Sequence, residues 1–122
     1  MRVALLATGA MNLCGCLMFV PPLTFARRLL GLPEPHPFYL WLLATWIGAF
    51  GIIYLWLGVT GRPDRAFLTI AAIGKLSFWG LLCIYWLAGE FPVAAPIASG
   101  ADLVFGLLFT YWLLRARPES AS

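Results

Sequence analysis

A chain of 122 residues that is 62% hydrophobic and 11% charged carries more apolar surface than a small soluble domain can hide; soluble chains are nearer ~45–50% apolar and ~25% charged. The net charge of +3 is scattered along the chain, which excludes the basic runs that bind nucleic acid. The composition predicts an all-α integral membrane protein, a four-helix transmembrane bundle in a single domain, with spans at about 3–20, 38–60, 66–88 and 93–114.

The first apolar run, Val3 to Val20, is uncharged and closed by Pro21-Pro22, because proline lacks the amide donor a helix needs. A secretory signal is the rival for this stretch, but only Arg2 precedes it and the apolar run continues past Cys16. Cys14 and Cys16 point to different sides of a helix and cannot pair within it. Together with Cys83 they read as small buried hydrophobes.

Leu23 to Leu32 is too short to span. Its Arg27-Arg28 pair among leucines predicts an interfacial helix with both arginines reaching headgroups. The alternating prolines of Pro33-Glu34-Pro35-His36-Pro37 then make a stiff extended loop with a solvated His36. The second span begins with Phe38, Tyr39 and Trp41 at one interface. Gly48, Gly51 and Gly58 in that span predict close helix approach. Gly61 to Arg65 forms a polar turn.

The third span, 66–88, carries Lys75 and Ser77, with Gly74 beside the lysine offering room for another helix. Gly89-Glu90-Phe91-Pro92 separates it from the fourth, which carries Pro96 and Asp102 and ends at Arg115 and Arg117 before a frayed tail. No repeat is legible along the chain. Arg2, Arg62, Arg65, Arg115 and Arg117 lie at one membrane face and Arg27 and Arg28 at the other, so the positive-inside rule puts both termini in the cytoplasm.

Measured from the cytoplasmic ends at 1.5 Å per residue, Lys75 lies about 14 Å into the third helix and Asp102 roughly 18–20 Å into the fourth. These opposite charges are predicted to pair, with Asn12 at a similar depth on the first helix and Thr45 as a possible neighbour on the second. Two roles fit this cluster: a buried ion pair that sets helix register, or a pocket for a polar headgroup, a quinone or a proton. No catalytic motif, metal-ligand set or cofactor motif occurs.

Several features together resemble the DoxX-like group of small bacterial four-helix membrane proteins. They are a first helix closing at proline, Leu29-Leu30-Gly31-Leu32-Pro33, a Pro37-Phe38-Tyr39 helix start, Gly74-Lys75, and Asp102 near the start of the last helix. The resemblance implies an inner-membrane helical bundle; some relatives are accessory subunits of thiosulfate or quinone redox systems. The function expected is a non-enzymatic structural or accessory subunit, partnered by the bilayer and by other membrane subunits or itself. The alternatives are a binder or transporter of a small molecule, lipid or quinone at Lys75–Asp102, and an accessory part of a quinone-linked redox system.

Overall fold

The computed structural model describes residues 1–115; Arg117 and the tail expected at 118–122 lie outside them. The described residues are all-helical, without strands, in six helices: α1 (Arg2–Met18), α2 (Phe25–Leu29), α3 (Pro37–Thr60), α4 (Arg65–Leu87), α5 (Ala94–Ala98) and α6 (Gly100–Arg115). The helices α3, with 24 residues, and α4, with 23, are long and apolar enough to cross a membrane. At 1.5 Å per residue they extend roughly 35 Å, against a hydrocarbon core of ~30 Å. α1 is apolar but shorter, at 17 residues.

The chain divides into two compact units, Met1–Arg62 and the residues from Pro63 onward. In the first, α1 lies antiparallel on α3. Arg2 at its start donates to the Val59 carbonyl at 3.0 Å, and Gly9 and Gly51 bring the two backbones together. Gly51 and Gly58 are buried as expected: a Cβ at Gly58 would lie 2.8 Å from Leu6, and one at Gly51 would lie 3.2 Å from the Gly9 carbonyl. At the other end of this unit Phe19, Leu40 and Ala44 form a small core.

α2 departs from the sequence expectation. Phe25 and Leu29 face outward, and Arg28 is exposed beside them. Arg27, in contrast, is 1% exposed. Its guanidinium donates to the carbonyls of Met18, Pro21, Val20 and Leu23, and to both carboxylate oxygens of Glu34 at 2.7 and 3.2 Å. α1 stops at Met18, ahead of Pro21-Pro22, and leaves carbonyls that no helical amide can satisfy. Arg27 satisfies the Met18 carbonyl together with those of the turn that follows, and held there it cannot reach a headgroup. The loop after it is pinned through Glu34, and His36, although exposed, caps α3 by accepting the Phe38 amide at Nδ1 (3.1 Å). At its far end α3 is closed by Gly61, whose φ of +66° is the left-handed cap conformation.

In the second unit Asp64 caps α4 by accepting the Phe67 amide at 2.8 Å. α4 packs antiparallel on α6, and Arg65 donates to the Leu113 carbonyl at 2.6 Å. The fourth span expected at 93–114 is broken in two at Ser99. The break has local causes. Pro96 has no amide to donate, Gly100 has low helix propensity, and the Asp102 amide turns back to the Ser99 carbonyl at 2.9 Å to start a new helix.

Set side by side, the two units share one plan. Residue for residue, α1 and α4 correspond at a constant offset. Leu5, Thr8, Gly9 and Phe19 are buried, as are Leu68, Ala71, Ala72 and Leu82. α3 and the α5–α6 run correspond likewise: Leu40, Ala44, Gly51 and Tyr54 match Ala95, Ser99, Gly106 and Phe109, all buried. The tilted ring pair Phe50–Tyr54, 6.5 Å between centroids, has its counterpart in Phe105–Phe109 at 6.3 Å. Each unit begins with an arginine that latches the far end of its last helix, Arg2 in one and Arg65 in the other. Among the described residues the two units thus repeat a common pattern of buried positions, which is hard to read from the sequence because residue identity recurs at only some of them, such as Leu5 and Leu68 or Gly51 and Gly106.

Candidate functional site

In the second unit Lys75, Asp102 and Ser99 are joined by hydrogen bonds. Lys75, on the buried face of α4, donates from Nζ to Asp102 Oδ1 at 2.9 Å. Ser99, in the break between α5 and α6, donates from Oγ to Asp102 Oδ2 at 2.8 Å. The lysine is 7% exposed and the aspartate 21%. Asp102 sits in the first turn of α6, where the helix dipole favours an anion. Both carboxylate oxygens are therefore engaged.

Packing positions the pair. Gly106 lies one turn beyond Asp102, and a Cβ there would be 2.8 Å from Leu76 and 3.4 Å from the Lys75 Cβ. The close approach of α4 and α6 is thus made by Gly106. Gly74, expected to serve this purpose, is exposed with nothing within 4 Å of an added Cβ.

Of the other residues expected at this depth, Asn12, on α1, donates from Nδ2 to the Ile47 carbonyl at 3.3 Å. Thr45 is exposed, and its hydroxyl donates to the Trp41 carbonyl of its own helix at 2.8 Å. Ser99 was missed at the sequence level, although Ser99-x-x-Asp102 before an apolar run has the form of a helix-start capping box. Here the two side chains bond to each other across the turn.

The repeat gives Asn12 and Lys75 equivalent places, each ten residues after its latch arginine. Both Cβ atoms pack at the glycine of the partner helix: Asn12 would lie 3.1 Å from a Cβ at Gly51, and Lys75 3.4 Å from one at Gly106. Each polar end reaches the residue one turn before that glycine, Ile47 or Asp102. The bond Asn12 makes to its partner helix is neutral, side chain to backbone, and the one Lys75 makes is an ion pair. No family model matches the chain, and no curated protein and no solved structure matches it.

Proposed function

We propose that this is a non-enzymatic, multi-pass membrane protein that acts as a structural or accessory subunit of a membrane complex. Its four spans are α1, α3, α4 and the α5–α6 run, forming a transmembrane bundle in a bacterial inner membrane, with both termini cytoplasmic and α2 at the outer surface. The observation behind this reading is the outward apolar surface of the two long helices. Trp41, Trp46, Ile52 and Trp56 on α3, and Ile70, Ile73, Leu81 and Ile84 on α4, are all exposed. Soluble monomers rarely expose contiguous apolar patches above a few hundred Å², whereas lipid or a partner helix covers such surfaces without penalty. The layout shared with the DoxX-like group points the same way.

Extraction in mild detergent followed by native mass spectrometry tests the proposal. A membrane partner co-purifying in fixed ratio is the expected result; a lone, homogeneous, lipid-free species overturns it. Orientation is tested separately in a cysteine-free background. Pro35→Cys labels with an impermeant thiol reagent added to intact cells, and Pro63→Cys labels only after lysis. The reverse pattern inverts the topology.

A further inference from the structure

Of the two adjacent arginines on α2, Arg27 fixes the helix and Arg28 is left over. Arg27 is bound to Glu34, to the Met18 carbonyl at the end of α1 and to the carbonyls of the turn that follows. Rolling α2 to bury its apolar side chains would drag this guanidinium outward and break those bonds, so the outward face is built in. On it lie Phe25 at 78% exposure, Leu29 at 68%, and the exposed Arg28. Phe25 is three residues from Arg28 and four from Leu29, which makes them neighbours on the helix surface. Leu23, just ahead of the helix, is exposed as well. Water gives no gain to large apolar side chains held in it, and a purely apolar surface gives none to a guanidinium. The face fits a surface that is apolar and anionic at adjacent depths.

The charge balance and the neighbouring helix end identify that surface. Arg27 and Glu34 neutralise each other as an ion pair. Among the described residues the Arg28 side chain makes no hydrogen bond or ion pair; it lies in the field of the Glu34 carboxylate, which Arg27 already holds. With His36 neutral, residues 23–36 carry one uncompensated positive charge beside an apolar patch. Phe19, Leu40 and Ala44 pack the end of α1 against the start of α3, so α2 and the first turns of α3 share one end of this unit. Phe38, Tyr39 and Trp41 are exposed there and continue the patch with the kind of side chain that settles at a lipid–water interface.

We infer that the outward face of α2 is a docking site for an anionic phospholipid: Phe25 and Leu29 lie against the upper acyl chains, and the Arg28 guanidinium donates to the phosphate. The inference rests on the membrane reading above. The planar fork of a guanidinium matches two phosphate oxygens, and its aliphatic stem lies along apolar surface while the charged head stays among polar groups.

Full-length wild type and Arg28→Gln are purified in mild detergent, incubated with dioleoylphosphatidylglycerol or dioleoylphosphatidylcholine, and examined by native mass spectrometry. Wild type is expected to retain phosphatidylglycerol over phosphatidylcholine, and Arg28→Gln to retain about fivefold less phosphatidylglycerol, with phosphatidylcholine retention and melting temperature unchanged. Equal phosphatidylglycerol retention by the two proteins overturns the proposal, as does an equal fall for both lipids. Depth is read separately from a nitroxide on Phe25→Cys, in a cysteine-free background, in vesicles containing dioleoylphosphatidylglycerol. The label is expected to be more accessible to oxygen than to a water-soluble nickel chelate. The reverse order puts α2 in water, and shielding from both reagents marks contact with a second copy of the chain; either result overturns the proposal. Carbonate extraction of membranes, run in parallel, identifies failure of the membrane reading by itself: the protein then appears in the soluble fraction.

Discussion

Arg27 and Arg28 are neighbours of the same type with opposite tasks, and the difference is measurable. Arg27→Ala removes the guanidinium donor from the carbonyls of Met18, Pro21, Val20 and Leu23, of which Val20 keeps the Leu23 amide, and is expected to lower stability by roughly 3 kcal/mol. Arg28→Ala, at an exposed position, stays within about 0.5 kcal/mol. Thermal or denaturant unfolding in detergent checks both. The hydrogen bond from Arg27 also holds the Glu34 carboxyl below the ordinary glutamate range. A carboxyl lowered on folding stabilises fully above that range and loses its contribution as pH falls through the lowered value. The melting temperature should therefore drop on the acid side, and Glu34→Gln should lack that component; an identical acid profile for the variant excludes it. Thr8 offers the opposite case. Its Oγ1 is buried with no hydrogen-bond partner among the described residues, and its counterpart in the second unit is the apolar Ala71. Thr8→Val is expected to stabilise by about 1 kcal/mol, since it removes an unsatisfied hydroxyl while keeping the shape. At this scale the Lys75–Asp102 pair was legible in the sequence, because two opposite charges in long apolar runs have few other solutions. Arg27 was not legible: which of two adjacent arginines turns inward depends on where α1 stops, and α1 stops three residues before its prolines.

At the scale of helices, packing separates glycines that look alike in sequence. Gly51 meets Asn12 Cβ at 3.1 Å and the backbone oxygen of Gly9 at 3.2 Å, and a backbone atom cannot rotate out of the way. Gly51→Ala should therefore force α1 and α3 apart and cost about 1–3 kcal/mol. A Cβ at Gly74 would meet nothing within 4 Å among the described residues, so Gly74→Ala removes a helix-weakening residue and should be neutral or stabilising by up to ~1 kcal/mol. Unfolding of the two variants side by side decides the matter; similar losses at both sites put an unseen neighbour against Gly74. The long helices α3 and α4 were readable within a residue of their observed bounds, since uninterrupted apolar runs leave little choice of state. The break at Ser99 was not, because the surrounding residues remain apolar on both sides. The evidence for it is a side-chain bond between positions 99 and 102, which hydropathy does not register.

For the molecule as a whole, the repeat makes the two connections within and between units physically different. Arg62 and Pro63 join the units between two completed caps, Gly61 closing α3 and Asp64 opening α4. The connection inside the first unit is instead bound at several points, by Arg27 to Glu34 and by His36 to the Phe38 amide. Loop-closure entropy grows slowly, by about 0.6 kcal/mol per doubling of length, so added chain matters mainly where it breaks bonds. Six glycine and serine residues inserted between Arg62 and Pro63 should change stability by less than ~1 kcal/mol. The same insert between Leu32 and Pro33 lets Glu34 drift from Arg27 and should lower stability by more, with increased exchange of amides near the start of α3. Hydrogen exchange in detergent distinguishes the two. If the Arg62–Pro63 insertion is the more damaging, each unit does not hold its own helices together.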